Sequence, residues 1–305
     1  MRNKFAETFY ELAKADNRLC AIVADISPAG SIQKFREEFP HRFINTGVAE
    51  QIMIGMAAGM AQRGMNVFCY TIATFALFRP FEFIRNDLAY QNLPVTVVGI
   101  GGGLTYSTLG ATHHAMEDVA VARSIPNLNV IAPCDPLETE AATRWCAQNK
   151  DGPVYLRLGK AGERVLTQFA EPWEFGKLRY ITRSEDDTWC VLSYGPIASV
   201  ALSVAEKLRT TGRGINASVA VVHTLSPTDI EGLSDFLFKH KEVLVIEESF
   251  EGPLSLSLRS IAQCERQDVA ISCFALFGGF SHIYGTHNEL LDHYDLTAEK
   301  ILAQF

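Results

Sequence analysis

Short apolar runs alternate with segments of helical spacing along the 305 residues of the chain. Near-continuous apolar runs predict buried strands at 20–25, 66–71, 94–100, 129–132, 154–158, 189–193, 218–222, 243–246 and 269–277. Helical spacing of apolar residues predicts helices at 49–63, 80–91, 197–209, 229–239, 254–264 and 288–304, and Asp135 followed by Pro136 predicts the start of one more. Strands buried on both faces and separated by helices indicate mostly parallel sheets, so the pattern predicts an α/β fold.

This alternation is interrupted once, between residues 160 and 186. The segment carries Gly162, Pro172, Trp173 and Gly176 among mixed charges, a composition typical of a linker between domains. At about 150 residues per domain, the length also favours two domains. The sequence therefore predicts two doubly wound domains, residues 1–165 and 187–305, joined by a linker at 166–186.

Composition narrows the class of protein without identifying an activity. Apolar residues make up 48% of the chain and charged residues 20%, as in soluble globular proteins. No apolar run reaches the roughly 18 residues that cross a bilayer, and the N-terminal segment has no apolar signal-peptide core. The net charge of −8 disfavours a general nucleic-acid binder, and the seven cysteines, scattered without a C-x-x-C pair, disfavour a disulfide framework or a zinc site. We expect a cytoplasmic protein with reduced thiols.

Ligands of doubly wound sheets bind beyond the carboxyl ends of the strands, and three polar features follow predicted strands there. They are Asp25, the glycine-rich loop from Gly101 to His114, and Arg157. Glu50 stands at the start of a strongly apolar helix. It is interpretable either as a first-turn acid that favours the helix dipole or as a carboxyl group facing a ligand pocket.

The remaining candidates have equally open interpretations. His113 and His114 are adjacent on a polar loop, and without a carboxylate or cysteine beside them at ligand spacing they favour acid–base or oxyanion roles over metal binding. A phenylalanine cluster runs through Phe75, Phe78, Phe81 and Phe83, a pattern common in plain cores. Arg157, among apolar residues at a strand end, must either be paired or face a cleft, where a phosphate is a plausible partner.

Taken in order, these motifs resemble the transketolase family. The resemblance rests on Asp25-x-Ser27, Gly47-Val-Ala-Glu50-Gln51, Thr74-Phe75, Gly110-Ala-Thr-His113-His114, Ile125-Pro-Asn-Leu128, Asp135 and Leu156-Arg157. It covers nearly the whole chain, and the combination of G-x-A-E-Q with T-H-H is its specific part. The first half resembles the thiamine-diphosphate pyrimidine-binding domain of that family and the second half its C-terminal domain.

The resemblance implies a thiamine-diphosphate enzyme that transfers a two-carbon ketol unit, and it implies roles for individual residues. Glu50 matches the catalytic glutamate that hydrogen-bonds N1′ of the aminopyrimidine, and His113 matches the histidine that hydrogen-bonds substrate and intermediate oxygens. Cofactor contacts are implied for the aromatic positions Phe75, Phe78 and Phe81 and for Asp25. Arg157 matches the arginine that holds a sugar phosphate, and His114 is a further candidate for substrate contact.

A motif that full-length transketolases carry is missing from this chain. Those proteins have an upstream diphosphate-binding domain with a G-D-G…N motif that holds Mg²⁺, and no G-D-G occurs here. The resemblance therefore implies the C-terminal subunit of a split transketolase. Its partner would be an N-terminal diphosphate-binding subunit that holds most of the Mg²⁺ contacts, in an α2β2 assembly, while this chain itself holds no metal.

One residue departs from the family pattern. Transketolases commonly have an aspartate four residues before the T-H histidine, where it contacts the acceptor hydroxyl, and this chain has Leu109. Standard pentose-phosphate specificity is therefore open, and a modified sugar is an alternative. Two other thiamine-diphosphate activities also remain open, a 1-deoxy-D-xylulose-5-phosphate synthase-like condensation and the beta subunit of a 2-oxoacid dehydrogenase. A non-catalytic partner subunit is the alternative from another class.

Overall fold

A computed structural model describes residues 1–26, 31–185, 188–210 and 214–304. Ser27, part of the motif that follows the first predicted strand, lies outside the described residues, as do residues 186 and 187 at the predicted linker boundary. The strands form two sheets, and the helices pack on their faces. The predicted α/β fold with two doubly wound units is confirmed.

The first sheet has seven strands in the order β10-β5-β6-β4-β3-β1-β2. Their bounds are β1 Leu19–Val23, β2 Phe43–Asn45, β3 Asn66–Ile72, β4 Val95–Ile100, β5 Asn129–Ile131, β6 Val154–Leu158 and β10 Thr224–Ser226. All neighbours are parallel except β10, which joins β5 antiparallel from the second half of the chain. Strands β1, β4 and β6 are buried along their whole length, which explains their continuous apolar sequences.

The second sheet has five strands in the order β12-β11-β8-β9-β7. Their bounds are β7 Arg179–Thr182, β8 Trp189–Ser193, β9 Ala217–Val221, β11 Glu242–Phe250 and β12 Ala270–Leu276. Only the edge strand β7 runs antiparallel to its neighbour. It lies within the predicted linker 166–186, and the predicted domain limits of 1–165 and 187–305 stay a prediction.

Twelve α-helices are present in the described ranges. Their bounds are α1 Arg2–Ala15, α2 Ser31–Glu38, α3 Glu50–Gln62, α4 Ala73–Leu77, α5 Phe81–Phe83, α6 Asp118–Arg123, α7 Pro136–Gln148, α8 Ala198–Thr210, α9 Ile230–Lys239, α10 Pro253–Cys264, α11 His287–His293 and α12 Ala298–Leu302. Asp135 is the N-cap of α7, as predicted, and its carboxylate accepts a hydrogen bond from the Glu138 amide at 2.8 Å. No described helix combines the length and apolarity needed to span a bilayer.

The structure corrects the helix predictions in two places. The single closing helix predicted at 288–304 is two helices, α11 and α12, because the chain turns through Asp295, whose φ is +57°. The helix predicted at 80–91 is α-helical only in α5 and continues as a π-helix over Ile84–Ala89. Helices α1, α2, α4 and α6 and strands β2, β7 and β10 had no prediction. The first of these buries Phe5 and Phe9 against Phe68.

Candidate functional site

Three of the predicted site residues lie on segments that leave the same edge of the first sheet. Glu50 begins α3 after β2, Phe75 lies in α4 after β3, and His113 lies in the loop after β4. Strands β2, β1, β3 and β4 are consecutive parallel neighbours, so their carboxyl ends meet there. The chain order also reverses between β1 and β3, and a crevice at such a point is where open α/β sheets bind ligands.

The loops after β1 and β2 are held together by one side chain. Asn45 Oδ1 accepts hydrogen bonds from the amides of Asp25, at 3.2 Å, and Gly47, at 2.9 Å. Gly47 has a φ of +67°, a conformation that glycine adopts without steric cost, and the turn it makes leads directly into α3. This turn places Glu50 at the sheet edge, and Asp25 is exposed in the loop that Asn45 also contacts.

Glu50 is a buried carboxyl group, and among the described residues it is paired with the solvent-exposed Arg79. Its residue surface is only 2% exposed, yet Arg79 Nη1 donates to its Oε1 at 2.8 Å. The Arg79 side chain is itself 41% exposed. A buried polar group needs a hydrogen-bond partner, and the arginine supplies one to Glu50 from the solvent-exposed side.

The Phe75 ring connects the Glu50–Arg79 pair with His113, and these four residues form the candidate cluster. The Arg79 guanidinium carbon lies 4.0 Å from the centre of the Phe75 ring, and the Phe75 and His113 ring centres are 5.2 Å apart in an edge-to-face arrangement. Partial burial lowers the pKa of His113, and the nearby charge of Arg79 lowers it further. Thr112 Oγ1 is 2.9 Å from His113 Nδ1 and orients the ring. A neutral imidazole held in this way can donate or accept a hydrogen bond at a ligand.

The sequence predictions assigned no role to three residues that the structure places around this cluster. They are Arg79, Tyr106, whose ring centre is 6.2 Å from that of His113, and exposed Lys160, whose Nζ is 5.1 Å from the centre of the Tyr106 ring. A sequence signal existed for Arg79, because Phe75 and Arg79 are four residues apart and such pairs meet on helical turns. Tyr106 and Lys160 come together only through the adjacent positions of β4 and β6 in the sheet.

Several predicted site residues have other surroundings. Phe78 and Phe81 are partly buried and pack against the hydrophobic core, so their predicted contact with a pyrimidine ring stays a prediction. His114 is buried, which lowers its pKa, and its predicted substrate contact also stays untested. Leu109, in contrast, is 47% exposed on the loop that carries His113.

The sequence left open whether Arg157 is paired or faces a cleft, and in the structure it is paired. It is 2% exposed, and its Nε donates to Asp118 Oδ2 at 2.8 Å, while its Nη2 donates to the Glu248 carbonyl at 3.1 Å. Burial by itself lowers the pKa of Arg157, but Asp118 more than offsets this, and the pKa is raised. The geometry gives no support to the predicted phosphate contact of Arg157.

The cluster at the sheet edge contains the kinds of side chain that contact an organic ring. In the described ranges, no group of three or more histidine, cysteine, aspartate or glutamate side chains is placed to hold a metal ion. The cluster itself combines the buried carboxyl group of Glu50, the partly exposed ring of Phe75 and the largely neutral imidazole of His113. Such a set suits a flat, nitrogen-containing ring that hydrogen-bonds to the carboxylate and stacks on the phenylalanine.

Comparison with known families assigns both halves of the chain. Residues 1–163 match the model of the transketolase pyrimidine binding domain, and residues 177–301 match that of the transketolase C-terminal domain. The chain belongs to the transketolase family. The resemblance found in the sequence motifs is thereby confirmed.

Relatives of this transketolase-family chain are similar along most of their length. A subunit of an apulose-4-phosphate transketolase from Phocaeicola vulgatus is 29% identical over 98% of this chain and 94% of its own. A 6-deoxy-6-sulfo-D-fructose transketolase subunit from Clostridium sp. (strain MSTE9) is 34% identical over 82% of this chain and 76% of its own. A solved structure described as a split gene transketolase, inactive beta4 tetramer, is 30% identical with a TM-score of 0.88, covering 99% of this chain and 95% of its own.

Proposed function

We propose that this chain is the beta subunit of a thiamine-diphosphate-dependent transketolase that transfers a two-carbon ketol unit from a ketose to an aldehyde acceptor. The observation that carries the proposal is the cluster of Glu50, Phe75 and His113 at the carboxyl edge of the first sheet, in a chain of the transketolase family.

The cluster fits the aminopyrimidine ring of the cofactor. Glu50 is buried, and the flat guanidinium of Arg79 both donates a hydrogen bond to its carboxyl group and lies over the face of the Phe75 ring. A ring with a nitrogen directed at Glu50 and a face against Phe75 makes the same two contacts. When bound, thiamine diphosphate supplies the electron sink for breaking a carbon–carbon bond next to a carbonyl.

The chain's own residues position groups and move protons around that chemistry. Glu50 holds a proton at its carboxyl group toward the pyrimidine, Phe75 orients the ring, and His113 hydrogen-bonds the substrate oxygens on which charge develops. The lowered pKa of His113 keeps its imidazole neutral near pH 7, so it can act in either direction. Phe78, Phe81, Asp25 and His114 complete the proposed set as cofactor and substrate contacts.

The proposal includes a partner subunit. The relatives named as subunits and the solved split-gene structure support this chain as one component of a larger enzyme. We propose that an N-terminal diphosphate-binding subunit supplies the diphosphate contacts and most of the Mg²⁺ ligands, in an α2β2 assembly. A cytoplasmic location, predicted from composition, is part of the proposal.

The proposed substrate is an anionic sugar, and two features support this choice. Lys160 is exposed just after the end of β6, close to Tyr106, and can offer a positive charge to an anionic group. Arg157 cannot do so, because it is buried and paired with Asp118. The related subunit from Phocaeicola vulgatus is named for a sugar phosphate. Exposed Leu109 removes a hydroxyl contact at the loop, so the acceptor would differ from that of a standard pentose-phosphate transketolase.

Glu50→Gln in the assembled complex tests the catalytic assignment. Loss of a general acid typically lowers the rate by about 100-fold or more, and we expect kcat to fall by at least that factor. Glu206→Gln, an exposed pair with Arg209 on α8, is the control and should retain full turnover. Undiminished turnover of Glu50→Gln would contradict the catalytic role and favour the non-catalytic alternative.

A donor assay separates the proposed reaction from other thiamine-diphosphate chemistry. The complex is given a ketose phosphate or pyruvate, each with an aldose acceptor, and products are identified by mass spectrometry. Transfer of a two-carbon ketol unit from the ketose supports the proposal. Decarboxylation of pyruvate without ketol transfer would replace it with a synthase-like or 2-oxoacid dehydrogenase-like activity.

A further inference from the structure

Arg79 bridges the two residues that the proposed function assigns to the pyrimidine ring. Its Nη1 is 2.8 Å from Glu50 Oε1, and its guanidinium carbon is 4.0 Å from the centre of the Phe75 ring. The proposed function gives this arginine no role. Its position inside the candidate site nevertheless needs an explanation, because it engages the carboxylate and the ring that a cofactor would use.

The guanidinium makes the contacts that the aminopyrimidine is proposed to make. Both groups are flat, both form a hydrogen bond with a carboxyl group, and both stack on an aromatic face. A ring inserted between Arg79 and Phe75 would need a separation of roughly 7 Å, because each stacked layer takes about 3.5 Å. The observed 4.0 Å leaves no such space, so the arginine and the pyrimidine exclude each other on this face of Phe75.

Arg79 can also move away from Glu50 and Phe75. Its side chain is 41% exposed, whereas that of Glu50 is 3% exposed. The arginine therefore reaches the site from solvent, and its side chain can rotate back into solvent. Leaving the buried Glu50 carboxylate without any partner would be costly, and Arg79 removes that cost before the cofactor binds.

We propose that Arg79 is a displaceable internal competitor of the cofactor's pyrimidine ring. In the cofactor-free subunit it holds Glu50 and Phe75 in position, and it must swing out when thiamine diphosphate enters. The inference rests on the proposed function. Its consequence is quantitative, because a ligand that binds only the fraction of molecules with an open site shows an apparent Kd raised by the inverse of that fraction.

The test is a calorimetric titration of thiamine diphosphate, with Mg²⁺ present, into the complex of this chain with its diphosphate-binding partner. Arg79→Met keeps an unbranched stem but removes the charge, and Arg79→Ala serves if the first variant does not fold. Weak ion-pair and cation–π contacts of the strengths found at exposed sites correspond to roughly 3- to 30-fold tighter binding in the variants. Arg85→Met, an exposed arginine on the adjacent π-helix, should change the Kd by less than about twofold.

The outcomes separate this inference from the function on which it rests. Unchanged or weaker binding in the Arg79 variants, while the wild-type complex binds the cofactor, would overturn the competitor role and leave the proposed function standing. A wild-type complex that does not bind thiamine diphosphate would overturn the proposed function and this inference with it. Tighter binding in the Arg79 variant that folds, without a change in Arg85→Met, supports the competitor role.

Discussion

The Arg79–Glu50 and Arg157–Asp118 pairs of the first domain have the same length and opposite character. Arg79 and Glu50 are 2.8 Å apart at the edge of the sheet, and Arg157 and Asp118 are 2.8 Å apart in its interior. In the first pair the arginine side chain is 41% exposed, and in the second both side chains are almost fully buried. Distance alone therefore says nothing about which arginine can exchange its partner for a ligand.

The number of additional contacts separates the two pairs. Besides the Arg157 pair, Asp118 accepts a hydrogen bond from the Tyr155 hydroxyl at 2.9 Å, and Arg157 reaches the Glu248 carbonyl of β11. This network joins β6 and α6 of the first unit to the second sheet, and its groups are satisfied within the protein. Arg79 has one carboxylate and one ring face, and it retains access to water. The buried pair is suited to holding the two units together, and the open pair to being replaced.

Asp118→Asn tests the buried side of this comparison and should have the largest effect. Removing one member of a buried ion pair leaves an uncompensated charge, so we expect the free energy of unfolding to fall by about 3–5 kcal/mol. Denaturant titration followed by circular dichroism measures it. Glu117→Gln is the control, because Glu117 precedes Asp118 in the chain and is half-buried. A loss below about 2 kcal/mol would place the Arg157 pair in the same class as the Arg79 pair.

A buried histidine provides the second test, through pH. His223 is stacked on Trp173, and burial, with a smaller contribution from Arg179, lowers its pKa to about 3. Below pH 6.5 the unfolded chain therefore binds a proton that the folded chain does not. Stability falls with decreasing pH through this window, by about 2 kcal/mol between pH 7 and 5.

His223→Phe removes this titration while preserving an aromatic ring against Trp173. Free energies of unfolding measured at about pH 7, 6 and 5 should fall less steeply in the variant than in the wild type, by the same roughly 2 kcal/mol. His113→Phe is the matched variant in the candidate site. The pKa of His113 is lowered less strongly than that of His223, so the pH dependence of unfolding in this variant should stay closer to that of the wild type. Parallel curves for wild type and His223→Phe would contradict the prediction.

Arg79→Met should have the smallest effect on stability. Arg79 is exposed, but its loss leaves the buried Glu50 carboxyl group without this partner, so the free energy of unfolding is expected to fall by about 1–2 kcal/mol. A double-mutant cycle with Glu50→Gln, followed by denaturant titration, isolates the coupling between the two side chains. A coupling above about 3 kcal/mol would mean that the open pair is as structural as the buried one and would weaken its interpretation as exchangeable.

Much of the fold could be predicted because its signals are local. Continuous apolar runs such as Val154–Leu158 correspond to strands buried on both faces, and Asp135 and Pro136 begin a helix as their conformational preferences require. Elements whose burial depends on distant partners had no prediction. The edge strand β10 pairs with β5 across the two units, and the break between α11 and α12 depends on a backbone conformation rather than on apolar spacing.

By itself, the sequence determined the α/β class, the family and the three residues that meet at the sheet edge, Glu50, Phe75 and His113. Only the tertiary structure decided how the charged groups pair. Glu50 and Arg79 are 29 residues apart, and Asp118 and Arg157 are 39 apart. An arginine in an apolar sequence must find a partner, but periodicity does not say which one, because the partner is selected by strand order and by what is excluded from water. That selection closed Arg157 into the interior and left Arg79 at the opening of the site.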